Sequence, residues 1–286
     1  MNQEKVVFIT GATGGIGKAA AIAMAQRQYT VVIHGRNKER TAAVAEEIKK
    51  LTGNRQVDYI VGDFFLMREV KKAATSFLNK YKRLDILINN AGGLMNKERA
   101  VTAEGIETTI ALNVLAPFLL TKQLLPLLQQ REDARIINVA SNAHKLNARP
   151  DFNDIELHKH YNPLRAYGNS KLFLIWNTQH LAAQLSQQGL HHVRVNSVHP
   201  GAIATNFGVT SNLGGLMNVV AKLLRPFFKT PEQGAETLTF LATGDIHLTG
   251  TYFEKNKPVG ASPKYYSKRN EQLIWDYCEQ QVKQWK

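Results

Sequence analysis

Seven short apolar runs recur along this chain, and most are followed by a longer amphipathic stretch. They are KVVFIT (5–10), TVVIHG (30–35), VDYIVG (57–62), DILINN (85–90), ARIINVAS (134–141), VRVNSVHP (193–200) and GTYFE (250–254). Most are apolar nearly throughout. A strand with one face in water alternates apolar and polar residues, whereas a strand covered on both faces does not. Helical patterns occupy residues 16–28, 38–52, 67–82, 103–131 (read as two helices) and 164–188. This alternation predicts an α/β fold, a doubly wound parallel sheet of seven strands with helices on both faces. No linker, repeat or low-complexity tract divides the 286 residues, so 1–286 is expected to form one domain. Such sheets bind ligands beyond the carboxyl ends of their strands, and the informative residues should follow each run.

The chain carries 36 Lys and Arg against 23 Asp and Glu, a net charge of +13. A nucleic acid, an anionic membrane surface or an anionic small ligand would each suit that charge. The basic residues are scattered, and no zinc-finger or aromatic RNA-binding motif accompanies them, so no nucleic-acid partner is expected. Cys278 is the single cysteine, which rules out an internal disulfide. The opening MNQEKVVFITG has no long apolar run ahead of the first strand. The expectation is a soluble cytoplasmic protein with neither signal peptide nor membrane anchor.

After the first run comes TGATGGIG, Thr10 to Gly17, and then a helix. Gly11, Gly15 and Gly17 let the backbone turn tightly and approach a ligand. The helix N-terminus offers unpaired N–H groups and the positive end of a dipole to a phosphate. First strand, glycine loop and first helix together read as a dinucleotide site of the Rossmann type. NAD-binding members of that fold place a carboxylate at the end of the second strand, on the ribose hydroxyls. Here Gly35 stands at that point and Arg36 follows, with Asn37, Lys38 and Arg40 close behind. A carboxylate would repel a 2′-phosphate, and an arginine fork grips one. The expected cofactor is therefore NADP(H).

These residues resemble the short-chain dehydrogenase/reductase family nearly end to end. TGATGGIG is similar to that family's TGxxxGxG loop, NNAG (89–92) to its motif after strand four, and YGNSK (167–171) to its YxxxK pair. HPG (199–201) followed by Thr205 is similar to its PGxxxT-like segment. The resemblance implies a catalytic set of Asn113, Ser141, Tyr167 and Lys171. It implies cofactor contacts from Gly11, Thr13, Gly14, Gly15, Ile16 and Gly17 in the loop, and from Arg36 and Asn37 after strand two. Further contacts would come from Asp63, Phe64, Asn90, Ala91 and Gly92 after strands three and four. Tyr167, Lys171, Pro200, Gly201, Ile203 and Thr205 complete the set. Read from the residues alone, Asp63 serves equally well as a helix N-cap.

The stretch from Ser141 to Leu172 and the tail from Gly250 onward resemble the retinol dehydrogenase-like branch. That implies hydrophobic alcohols and their aldehydes or ketones as substrates, a lid near 205–230 and a C-terminal extension at 255–286. Membrane-associated members of the branch usually begin with an apolar anchor, and none is expected here from the opening MNQEKVVFITG. The apolar, basic segment 213–229 reads as the lid, or as a helix touching a membrane peripherally, with Leu213, Leu216, Met217, Val220, Leu223, Leu224 and Phe227 at roughly helical spacing. A homodimer through the long helices stays open, because the extension would compete for that surface.

Tyr167 and Lys171 stand four apart, on one helix face. A nearby ammonium favours the phenolate and so lowers the phenol's pKa. Tyr167 would then act as general acid in reduction and general base in oxidation, with Ser141 on the substrate oxygen. Lys171 would bond the nicotinamide ribose, and Asn113 would hold a water linking Lys171 to solvent. Two alternatives remain: reduction of a carbon–carbon double bond, and a non-enzymatic dinucleotide sensor. No metal site is expected, because His158 with His160 and His191 with His192 have no Cys or carboxylate cluster at ligand spacing. His144 is expected near the site without a catalytic role. A final helix over about 270–285 should set Ile274, Cys278, Gln281 and Trp285 on one side, against the body or a partner subunit. Equilibrium binding should give a lower Kd for NADPH than for NADH. Tighter binding of NADH would remove the reading of Arg36.

Overall fold

The computed structural model describes residues 5–201 and 230–286. The expected lid, its apolar segment 213–229, and Ile203 and Thr205 lie outside the described residues. Seven strands match the apolar runs: β1 (Val6–Ile9), β2 (Thr30–Gly35), β3 (Val57–Val61), β4 (Ile86–Asn89), β5 (Ala134–Val139), β6 (Val193–His199) and β7 (Tyr252–Glu254). They pair in parallel in the order β3-β2-β1-β4-β5-β6-β7. An eighth strand, β8 (Lys257–Val259), adds antiparallel to β7 at the edge. It escapes sequence reading because its hairpin turn, Lys255-Asn256, holds both residues at positive φ without a glycine to mark it.

Successive side chains of β1 enter opposite cores. Val7 and Ile9 join a cluster with Met24, Ile33 and Ile48, while Phe8 joins Phe77, Leu87, Leu115 and Trp176 on the other face. This two-sided burial accounts for the absence of alternation in the sequence. Helices α1 (Gly15–Gln26), α2 (Lys38–Thr52) and α8 (Pro231–Thr243) cover the first face. On the second lie α3 (Met67–Lys80), α5 (Ala116–Leu128), α7 (Pro163–Gln187) and α9 (Lys268–Gln281). The sequence reading missed α8, although its start is marked: Thr230 and Gln233 form a reciprocal capping box around Pro231.

The two helices expected over 103–131 are one helical run. α4 (Thr108–Ile110) passes through a π-turn (Ala111–Leu115) into α5, since a π-turn adds a residue to a turn without ending the helix. Asn113 lies in this turn, and Pro117 follows it at the start of α5, where it brings no N–H to the turn before it. Among the described residues, Thr108–Leu128 is long and apolar enough to cross a membrane, and most of it is buried inside the protein.

Helix α9 docks on the body. Trp275 meets Phe118 edge-on at 4.8 Å and stacks on His180 at 4.4 Å. Lys122 pairs with Glu279 at 2.9 Å. Its buried side carries Glu271, Ile274, Trp275 and Cys278, with Val282 just beyond. Gln281 and Trp285 stay partly exposed; the helix ends at Gln281, and Trp285, in a 3₁₀ turn (Lys283–Trp285), packs against the edge of the core.

One imidazole ties three strand ends together. His34, near the end of β2, is buried and stacks on Phe64 at 3.7 Å. Its Nδ1 accepts from the N–H of Gly11 at 3.2 Å, and its Nε2 donates to the carbonyl of Gly62 at 2.9 Å. The bond from Gly11 requires the neutral ring, since a protonated Nδ1 cannot accept. Burial pushes its pKa down to about 4, from about 6.5 in an unfolded chain. A depressed pKa contributes stability above pH 6.5 that is lost as pH falls through 4, up to about 3 kcal/mol. Thermal unfolding between pH 7 and pH 4 should show the wild type losing more stability than His34→Gln, which bonds without titrating. Parallel slopes would remove this role.

Candidate active site

The carboxyl ends of β1, β4, β5 and β6 lie level, because their parallel registers align Ile9 with Ile88, Asn89 with Asn138, and Asn138 with Ser197. Ser141 follows β5, and the inner face of α7 presents Tyr167 and Lys171 beside it. Lys171 Nζ donates to the carbonyl of Val139 at 2.8 Å and lies 5.6 Å from the centre of the Tyr167 ring. The Tyr167 phenol shares a hydrogen bond with Ser141. Asn113 Oδ1 accepts from the N–H of Gly93 at 2.9 Å, and its Nδ2 donates to the Gly93 carbonyl and to Ser170 Oγ. The four expected catalytic residues thus meet at one end of the sheet.

The middle of YGNSK has its own work. A Cβ on Gly168 would sit 2.6 Å from the nitrogen of Ala148, so glycine lets the segment after Ser141 cross α7 closely. Asn169 Oδ1 accepts from the N–H of Arg149 at 2.7 Å, fastening that segment. Ser170 Oγ donates to the Tyr167 carbonyl at 2.8 Å while accepting from Asn113. The sequence reading weighed only the first and last residues of this motif. A Cβ on Gly92 would lie 2.9 Å from Asn113 Oδ1 and 3.1 Å from Lys171 Nζ, so Gly92 leaves room for both.

Proton affinities here run against the expected direction. Tyr167 and Lys171 are 7% and 4% exposed. Burial raises the phenol above its ordinary value, with the Ser141 hydrogen bond pulling the other way, and lowers Lys171 to about 7. A phenolate stabilised by Lys171 is therefore not what the protein by itself produces. The ammonium spends a bond on Val139 and lies over the ring, and loss of water outweighs its attraction.

The glycine loop fits a diphosphate. Helix α1 begins after Gly14 with no side-chain cap and no acidic residue in its first turn, leaving its N–H groups and dipole for an anion. Gly11 takes φ +64°, a left-handed conformation. Thr10 Oγ1 accepts from the N–H groups of Asn90 and Ala91, and Asn90 Nδ2 donates to the carbonyls of Thr10 and Gly11. Asn90 therefore fastens the loop to β4, and a Cβ on Gly17 would collide with its amide. At Gly35 a Cβ would collide with Thr13 and Thr41, so no carboxylate fits there. Arg36 lies 5.5 Å over the Phe65 ring, and Arg40 donates to the Thr13 carbonyl at 3.3 Å. This donor set, cationic and without a carboxylate at position 35, suits a 2′-phosphate.

Other expected contacts occupy less direct positions. Asn37 Oδ1 caps α2 by accepting from the N–H of Arg40. Asp63 accepts from the N–H of Phe65 at 3.2 Å in a local turn, and Leu66 is the N-cap of α3. Phe64 is buried against His34, leaving its main chain as the group able to face a ligand. Pro200 and Gly201 follow β6, with Gly201 at φ +100°. His158 and His191 are exposed, and no cluster of metal-ligating side chains occurs among the described residues. His34 was missed by the sequence reading; an isolated histidine in an apolar strand was its one signal.

A family model described as short chain dehydrogenase matches residues 5–215. Retinol dehydrogenase 12 of Mus musculus is 37% identical over 284 residues, covering 98% of this chain and 87% of the relative. Retinol dehydrogenase 11 of Homo sapiens is 38% identical over 274 residues, covering 95% and 84%. A short chain dehydrogenase from Shigella flexneri, solved in complex with NADP, superposes with a TM-score of 0.69 at 26% identity, covering 88% of this chain and 97% of that one. With this sheet order, glycine loop and YxxxK site, the chain belongs to the short-chain dehydrogenase family of oxidoreductases, in its retinol dehydrogenase-like branch.

Proposed function

We propose that this protein is an NADP(H)-dependent oxidoreductase that interconverts a hydrophobic alcohol with its aldehyde or ketone. The observation that carries this reading is the meeting of Ser141, Tyr167, Lys171 and Asn113 beside a glycine loop whose second-strand neighbours are Gly35 and Arg36. The Shigella relative's complex with NADP and the two retinol dehydrogenases support the cofactor and the substrate class.

When bound, the nicotinamide supplies or accepts the hydride. Ser141 Oγ bonds the substrate oxygen and stabilises charge as it develops there. Tyr167, kept protonated by burial, gives its phenolic proton to that oxygen during reduction. Lys171, lowered to about 7, exchanges a proton near neutral pH and reaches the ribose hydroxyls from its seat on Val139. The Asn113 side chain is committed to Gly93 and Ser170, so a relay water falls to its main-chain carbonyl. Arg36 and Arg40 take the 2′-phosphate. A cytoplasmic location belongs to this proposal, with the apolar run Thr108–Leu128 serving as a core helix.

The test is the initial rate of NADPH oxidation over aldehydes and ketones from short aliphatic ones to retinal. Rate should climb with substrate hydrophobicity. Tyr167→Phe should lower turnover by about a hundredfold or more while the Kd for NADPH hardly changes. Lys171→Ala should damage both. Retained turnover in Tyr167→Phe would sink the assignment.

A further inference from the structure

Ser141 sits one residue past the last tie of β5 to the sheet, the bond from the N–H of Ala140 to the carbonyl of Val198 at 2.8 Å. Beyond that point the chain enters a helix, α6 (Ala143–Leu146), too short to orient itself. Other groups must hold the serine. Its carbonyl accepts from the N–H of His144 at 3.2 Å and meets His144 Nδ1 at 2.6 Å. Its Oγ accepts from the N–H of Ala143 at 3.2 Å. On the far side of the ring, His144 Nε2 accepts from the N–H of Ser262 at 3.1 Å. A nitrogen that accepts from an amide carries no hydrogen. The ring's proton therefore sits on Nδ1 and is donated to the Ser141 carbonyl.

The surroundings hold that ring in place. His144 is 1% exposed. Tyr252 stands edge-on to it at 4.9 Å. The Tyr252 hydroxyl donates to Asn142 Oδ1 at 2.9 Å, and Asn142 Nδ2 donates to Glu254 Oε2 at 3.3 Å. Residues 142 and 144, flanking the turn after the serine, are thus tied to β7 and to the stretch that follows β8. A phenylalanine would fill the same space. What histidine adds is two directed bonds, one to the main chain of Ser141 and one to the C-terminal segment.

We propose that His144 is a positioning residue for Ser141, and that through it the C-terminal segment around Ser262 sets the aim of the Ser141 hydroxyl. This rests on Ser141 bonding the substrate oxygen, as in the function proposed above. The tail then belongs to the active site: displacement of residue 262 releases His144, and with it the serine.

The experiment uses the full-length chain with ¹⁵N-labelled histidine, alongside His144→Phe, His144→Asn and His144→Gln. Phenylalanine keeps the ring and loses both bonds. Asparagine reaches the Nδ1 position, and glutamine reaches the Nε2 position. In the wild type the nitrogen spectrum should show His144 with its hydrogen on Nδ1, and exchange of the Ser262 amide should quicken in His144→Phe. Turnover of the most active aldehyde should fall about tenfold or more in His144→Phe, with the NADPH Kd held within about twofold. The Asn and Gln variants should fall between. Unchanged turnover per folded molecule, even with a lowered Tm, would reduce His144 to packing and overturn the proposal. So would a hydrogen on Nε2. If the wild type reduces no aldehyde, the proposed function fails, and the nitrogen spectrum and Ser262 exchange still decide the geometry.

Discussion

From β2 to β6, the parallel strands of this sheet are covered by helices, so their polar groups reach open space only where strands end. The chemistry of the protein follows from that constraint. Every residue proposed to handle a proton or an anion stands at a carboxyl end or on a helix leaning over one. The parallel registers keep those ends level, and side chains then stitch them together: Asn90 joins β4 to the glycine loop, and Lys171 joins α7 to the end of β5.

Burial decides the proton state of the site more strongly than proximity does. Tyr167 and Lys171 lie close, yet both move toward their neutral forms, because each has lost its water and Lys171 has turned to a carbonyl. A loaded phenol beside an ammonium that titrates near neutrality is suited to giving a proton to a carbonyl oxygen. The two buried imidazoles follow the same physics. His34 and His144 are both held near 4 by burial, and each uses its neutral ring to bond main-chain groups on both sides.

Much of the fold was legible because periodicity is local. Seven strands fell where apolar runs predicted them, and α2 spans the residues expected of it. The failures were local signals of a different kind. β8 turns on Lys255 and Asn256 without a glycine, and α8 announces itself by a cap instead of by amphipathic spacing. The break expected within 103–131 is a π-turn, which leaves no mark that a helix has ended.

By itself the sequence determined the α/β alternation, the glycine loop before α1, the missing carboxylate at Gly35 and the Tyr167–Lys171 spacing on one helix face, since spacing and residue chemistry suffice for these. Only the tertiary structure decided why position 35 must be glycine, how Gly168, Asn169 and Ser170 seat the segment after Ser141, and which way the Tyr167 proton is biased. It also decided that α9 closes on α7, and that residue 262 reaches back to the turn after Ser141. The reason is distance along the chain: Thr13 meets Gly35 and Ser262 meets His144 only after folding, and desolvation depends on what every other segment covers.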